Sequence, residues 1–119
     1  PFAPSILHKA GNEYFDNYCF NPFMTLTFDT KEKRKKEISQ AIHIDKTARV
    51  QSVVKETNPK YYKLLQEFEK TTSVPALLNT SFNDSNKPLV NSPKDALKVF
   101  MATGIEILVM GDYIIRKPV

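Results

Sequence analysis

Hydrophobic and polar positions along the chain mark out a run of short elements. Residues 22–28, PFMTLTF, are β-prone and partly alternating, which predicts a strand. Residues 31–40 are polar and charge-rich and predict an exposed helix. Residues 48–54, ARVQSVV, predict a second strand, with Ala48, Val50 and Ser52 on one face and Arg49 and Gln51 on the other. Asn58-Pro59 reads as a helix start, Asn as cap and Pro at the first helical position. Tyr61, Leu64, Leu65 and Phe68 follow at i, i+3, i+4 and i+7 as one apolar stripe. Residues 75–80 predict a further strand. Ser92-Pro93 opens a second helix, with Asp95 completing a capping box and Ala96, Leu97, Phe100 and Met101 as the buried face. Gly104 is placed where a left-handed residue ends a helix. Residues 105–110 and 113–116 predict strands joined by a two-residue Gly111-Asp112 turn. Strands and helices are intermixed, and the closing hairpin predicts a mixed, twisted sheet with helices packed on it, an α/β (α+β) fold. No internal repeat or low-complexity segment is present.

Composition narrows this picture. A chain of 119 residues is expected to form a single domain, residues 1–119. Its 41% hydrophobic and 25% charged residues are ordinary for a soluble globular fold. No apolar run approaches the roughly 18 residues of a membrane span, so no membrane partner is expected. The chain opens on Pro1 without a signal-peptide pattern, which suggests a fragment or a processed piece. One cysteine, Cys19, cannot form an internal disulfide and favours a reducing, cytoplasmic setting. Flanked by Tyr18 and Phe20, it reads as a core filler and not a nucleophile. His8 and His43 lie far apart without ligand-spaced partners, so no metal site is expected.

Net charge is +4, much of it from KEKRKKE at 31–37. Glu32 and Glu37 interleave with the bases, as on a solvated face. A phosphate-rich partner would also suit the run, but no aromatic within it offers a base-stacking platform.

Polar residues with chemical potential gather twice. In LLNTSFND, 77–84, an extended backbone would place Asn79, Ser81 and Asn83 on one side and Leu78, Thr80 and Phe82 on the other. Carboxamides, a hydroxyl and free backbone amides at a strand exit suit phosphate or ribose oxygens, although Asn and Ser also cap turns. In HIDKTARVQ, 43–51, Arg49 sits among apolar neighbours and calls for an anionic partner, either an internal carboxylate or a ligand phosphate. His43 can move a proton or donate a structural hydrogen bond.

Taken in order, PFAPSIL (1–7), PFMTLTF (22–28), HIDKTARVQSV (43–53), NPKYYKLLQEFE (58–69), LLNTSFND (77–84) and SPKDALKVFMATGIEILVMGDYIIRK (92–117) resemble one family. It is the C-terminal region of the O-carbamoyltransferases that include nodulation-factor and tobramycin carbamoyltransferases. The resemblance implies part of a YrdC-like domain, which binds ATP, with Mg expected, and carbamoyl phosphate, and makes carbamoyl-adenylate. An N-terminal actin- or sugar-kinase-like domain, which carries the family's iron site, would then pass the carbamoyl group to a hydroxyl-bearing small-molecule acceptor. That domain, and the basic residues preceding the family's PFAPS motif, fall outside this sequence. The implied partners are the rest of the parent chain, carbamoyl phosphate and the acceptor, and the isolated chain is expected to be inactive.

Residue by residue, LNTSFN implies nucleotide contacts at Asn79, Ser81 and Asn83. HxDxTARVQ implies Thr47 as a further nucleotide contact and Arg49 and His43 as catalytic candidates. The family pattern carries Gly where Lys46 and Asn86 stand. Asn tolerates a left-handed backbone, whereas Lys is strained there. A non-catalytic nucleotide-binding module and a nucleic-acid-binding YrdC-like domain are the alternatives.

Overall fold

The computed structural model describes residues 2–118. It is an α+β fold, and the chain divides after Thr80 into two compact units.

The first unit is built on a strand that no sequence period marked, β1 (Ala3–Leu7), whose five residues are all buried. Two prolines and a mostly apolar stretch without alternation hid it. Strand β1 is the middle of a three-stranded sheet, flanked by β4 (Gln51–Val53), parallel, and β5 (Ala76–Asn79), antiparallel. Proline is rare in a central strand because it donates no ladder hydrogen bond. Here the register resolves the conflict, since β4 begins opposite Ser5 and leaves Pro4 paired only with Leu78 of β5.

Alternation along β1 sends Ile6 into a core with Tyr14, Phe15, Tyr18, Phe28, Ala48, Val50 and Ala76. Leu7 goes to the opposite cluster with Val53 and Leu65. Leu65 comes from α2 (Pro59–Thr72), which starts as its sequence predicts, with the Asn58 carboxamide oxygen accepting from the Tyr61 amide at 3.4 Å. Leu64 departs from the predicted stripe and is 55% exposed, Tyr62 taking its place beside Leu65. A short helix, α1 (Gly11–Tyr14), brings Gly11 against the Tyr18 ring.

Three predicted elements fail in this unit, each because a non-local contact decides. Only Thr27–Asp29 of the predicted 22–28 strand forms β2. Ahead of it the Asn21 side chain donates to the Leu26 and Val50 carbonyls and accepts from Thr25, holding a loop in which Met24 has φ 56°. The predicted helix over 31–40 is instead two 3-10 turns, Glu32–Arg34 and Ser39–Ala41, with Ile38 buried between them. Three of its five cations are held internally, Arg34 on Glu13 and Glu37, Lys35 on Glu32, and Lys31 on the Asn12 carbonyl. The predicted 48–54 strand breaks at Val50 into β3 (Thr47–Arg49), paired with β2, and β4 in the larger sheet. The facing assignment holds, since Ala48, Val50 and Ser52 are buried. Cys19 is exposed and fills no core.

The second unit follows its local signals. Helix α3 (Pro93–Ala102) is capped by Ser92, whose hydroxyl accepts from the Asp95 amide at 3.1 Å and donates to the Asp95 carboxylate at 2.6 Å. Ala96 and Phe100 are buried, whereas Leu97 and Met101 are exposed. Gly104 is not left-handed. The helix ends one residue earlier at extended Thr103, whose hydroxyl donates to the Val99 carbonyl at 2.8 Å. Strands β6 (Ile107–Met110) and β7 (Tyr113–Arg116) form the predicted hairpin, with Gly111 at φ 60°. The hairpin is a sheet of its own, so the mixed sheet arises from β1, β4 and β5 instead.

Candidate functional site

Residues 43–47 close a tight turn ahead of β3. The His43 amide donates to the Thr47 carbonyl at 2.8 Å, and the Lys46 amide to the His43 carbonyl at 3.0 Å. Closing that turn holds Lys46 at φ 71°, the left-handed conformation for which a glycine is suited.

Inside the turn the Asp45 carboxylate accepts from the Thr47 amide at 3.0 Å and from the Thr47 hydroxyl at 2.8 Å. Those two donors hold the Asp45 carboxyl below its usual range. The Thr47 hydroxyl has one proton, and a carboxylate can only accept it. The contact between His43 Nδ1 and that hydroxyl, 3.1 Å, therefore runs with Nδ1 as donor. In the neutral ring this assigns the lone pair to Nε2, which is buried and has no hydrogen-bond partner among the described residues. A basic nitrogen so placed is oriented by a hydroxyl and, through it, by a carboxylate. A cavity of about 600 Å³ lies along the same segment, lined by Phe2, Gln40, Ile42, His43, Ile44 and Asp45.

Arg49 lies two residues beyond Thr47 on the outward face of β3, opposite Thr27. Its side chain is exposed, so burial does not demand an internal partner, contrary to the sequence expectation. The nearest carboxylate in the register, Asp29, stands opposite Thr47, and among the described residues no ion pair engages Arg49.

Alternation continues to Gln51, and here the structure adds two residues that sequence reasoning did not assign. Ser5, fully buried, donates its hydroxyl to the Gln51 carboxamide oxygen at 2.6 Å. Asn79, from β5, donates to Ser5 Oγ and to the same Gln51 oxygen, each at 3.0 Å. Three strands thus contribute to one polar network. Gln51 was legible, since it shares a face with Arg49. Ser5 was not, because it sits within an apolar run.

The remaining candidates lie in the second unit. Strand β5 ends at Asn79, so no strand carries the alternation on to Ser81 and Asn83. Ser81 is exposed. Asn83 donates its amide to the carbonyls of Asp84, 3.1 Å, and Lys87, 2.9 Å, and so closes a loop in which Asn86 has φ 63°. The Arg49 guanidinium in the first unit and the Ser81 hydroxyl in the second are each a donor suited to a phosphate oxygen. Among the described residues no group of three or more His, Cys, Asp or Glu gathers that could hold a metal ion. Likewise, no helix among them is long and apolar enough to cross a membrane.

Known proteins resemble this sequence. A family model described as "Carbamoyltransferase C-terminus" matches residues 1–117. Nodulation protein NolNO of Sinorhizobium fredii is 40% identical over 120 residues, covering 98% of this chain and 18% of that protein. Nodulation protein NolO of Bradyrhizobium diazoefficiens is 40% identical over 120 residues, covering 98% of this chain and 22% of its own length. Nodulation protein U of Rhizobium tropici is 32% identical over 83 residues, covering 70% of this chain and 14% of that protein. The chain spans about a fifth of the length of the first two of these relatives.

Proposed function

The chain belongs to the carbamoyltransferase C-terminus family, and from that premise we propose that it is part of an ATP-dependent O-carbamoyltransferase. In this proposal it helps form carbamoyl-adenylate: water cleaves carbamoyl phosphate to carbamate and phosphate, and the carbamate oxygen displaces pyrophosphate from the α-phosphate of ATP. The carbamoyl group then passes to a hydroxyl of a small-molecule acceptor, with AMP as the leaving group. The rest of the parent protein supplies the acceptor site.

One observation carries the proposal: Thr47 and Arg49 share the outward face of β3, so the hydroxyl that orients the His43 imidazole and an exposed guanidinium, without an ion pair among the described residues, stand on one short strand. Successive same-face positions are about 6.5–7 Å apart along a strand, the scale of a small phosphate ester. Arg49 meets the negative charge that develops on phosphate oxygens, a role a fixed cation fills without reorganising. His43 Nε2 accepts a proton or a hydrogen bond from a reacting group, with Thr47 and Asp45 as positioning residues. Thr47 acts through His43, since its hydroxyl is already engaged. Ser81 offers a free hydroxyl to a nucleotide, and Asn83 offers its carbonyl oxygen, its amide being held in the loop.

The test is pyrophosphate release and carbamoyl transfer by the full-length protein supplied with ATP and carbamoyl phosphate. Arg49→Ala should lower the rate by about 10²-fold or more, the scale of one lost charge-stabilising group. A folded Arg49→Ala protein with full activity removes Arg49 from the site. Wild-type protein that needs no ATP, or transfers no carbamoyl group, overturns the function.

A further inference from the structure

The three-stranded sheet has one closed edge and one open edge. Beyond β4 the Ser52 amide donates to the Asn21 carbonyl at 3.0 Å, so the loop before β2 caps that side. Beyond β5 the phase of the ladder decides which groups face outward. The Leu7 amide donates to the Pro75 carbonyl at 3.0 Å, and antiparallel pairs alternate from there. Pro75, Leu77 and Asn79 therefore turn their backbone groups to β1, and Ala76 and Leu78 turn theirs away. Among the described residues no backbone group pairs with Ala76 or Leu78 on that side. Edge strands are normally blunted by charge, proline or a bulge. Strand β5 carries no charged residue, Leu78 is 42% exposed, and the N–H that Pro75 lacks would have faced β1.

Both layers of the first unit flank this edge. A cavity of about 430 Å³ follows Ala76, Leu77 and Leu78, walled by Phe68 from α2 and by Ile38 and Ala41. Helix α2 covers the sheet face where Leu77 packs beside Leu7 and Val53, and Ile38 covers the face where Ala76 packs with Ile6. Successive side chains of a strand point to opposite faces. A strand laid beside β5 would thus set one side chain toward Phe68 and the next toward Ile38 and Ala41. The one charged lining residue, Glu37, is already engaged by Arg34 and Tyr14, so an added charge would find no partner there.

We propose that the open edge of β5 receives a strand from the part of the parent protein outside these 119 residues. That segment is uncharged, apolar on both faces, and hydrogen-bonded through its backbone to Ala76 and Leu78. The inference rests on the reading of the chain as part of a longer carbamoyltransferase and gives that reading an interaction surface. The chain matches 18% and 22% of the Sinorhizobium and Bradyrhizobium relatives, so about four-fifths of such a protein is available to supply the strand. Covalent tethering makes its docking an intramolecular event. A second copy is a poorer occupant, because its own β5 lies between the same two walls. Two such edges would meet wall to wall before their backbones reached pairing distance.

Hydrogen exchange read residue by residue on the full-length protein tests this without turnover. With the edge occupied, the Ala76 and Leu78 amides should exchange within about tenfold of the Leu77 and Asn79 amides, which bond to β1. Faster exchange than that at both positions means an open edge and overturns the proposal. Protection that disappears on dilution assigns the edge to a second copy and also overturns it. A photoreactive side chain at position 78 should cross-link within one chain to a peptide outside these 119 residues. Cross-links confined to the 119 residues, or formed only between chains, count against it. Leu78→Lys should speed exchange at Ala76 by about tenfold or more and leave Leu65 in α2 unchanged. Unchanged exchange at Ala76 in the folded variant overturns the assignment, and the wild-type readings decide the matter if the variant does not fold. Failure of the wider reading shows elsewhere, as absent ATP-dependent carbamoyl transfer by wild-type protein.

Discussion

The two compact units solve the problem of burial differently. In the first, a central strand is covered on both faces, and polar side chains are taken inside. Ser5, Asn21, Thr30 and Ser52 are all buried there, and all except Thr30 have side-chain hydrogen-bond partners. In the second, one helix meets one hairpin around Ala96, Phe100 and Leu108, and Ile107, Val109 and Ile114 remain exposed. The first unit is therefore held by many specific contacts between distant residues. The second is held by caps, a turn and a thin apolar contact.

That contrast should break most visibly at Phe100. It is 1% exposed and is the largest side chain of the second unit's core. Phe100→Ala should cost about 3–5 kcal/mol, more than a helix on a hairpin can be expected to absorb. Hydrogen exchange should show protection lost along α3, β6 and β7 and retained along β1, β4 and β5. Equal loss in both sets would mean that the units are one cooperative structure.

Gly11 probes the other unit. A Cβ there would lie 2.0 Å from Tyr18 Cε1. Its φ of −55° is ordinary, so space and not backbone freedom asks for glycine. Tyr18 cannot swing aside without losing its hydroxyl contacts to Ser52, 2.5 Å, and His8, 3.0 Å. Gly11→Ala should cost about 1–3 kcal/mol by overpacking, read as a lower urea midpoint with unchanged slope. A neutral substitution would show that this core is looser than its contacts imply.

The same contrast explains what the sequence could disclose. The second unit was legible: the Ser92 cap, the Asp95 capping partner and the Gly111-Asp112 turn act within four residues, and each formed where the pattern put it. Gly104 misled because the Thr103 hydroxyl closes the helix first. In the first unit, the loop before β2 depends on Asn21 reaching Val50, 29 positions away. The break in the 48–54 strand depends on which sheet each half joins. Of the candidate site, Arg49, His43 and Thr47 could be named from residue type and spacing. Ser5 could not, because its role exists only once β1, β4 and β5 are side by side.

Left-handed residues occur in both units and sharpen the comparison at smaller cost. Lys46 at φ 71° closes the His43 turn, and Asn86 at φ 63° closes the Asn83 loop. A left-handed backbone costs a branched or long L-residue about 1–2 kcal/mol, and Asn less. Lys46→Gly should therefore stabilise the first unit by about 1 kcal/mol, whereas Asn86→Gly should change the second by a few tenths at most. Thermal unfolding of the two variants checks the order. A reversed order would show that the Lys46 side chain makes a compensating contact.

Two carboxylates give the smallest and most local test. Asp45 in the first unit is held below its usual range chiefly by the Thr47 amide and hydroxyl. Asp84 in the second is held down chiefly by Lys87, 2.7 Å away. In both, the folded value is depressed, so the stabilising contribution is complete above the unfolded value of about 4. It fades as pH falls through the lower folded value. The causes differ in their response to salt, because exposed ion pairs are screened and hydrogen bonds from a fixed backbone are not. Carboxyl titration by NMR at low ionic strength and at 1 M salt should move Asp84 back toward an ordinary carboxylate and leave Asp45 depressed. If both move together, the turn at 43–47 is no more rigid than a surface ion pair, and the orientation it gives His43 is lost with it.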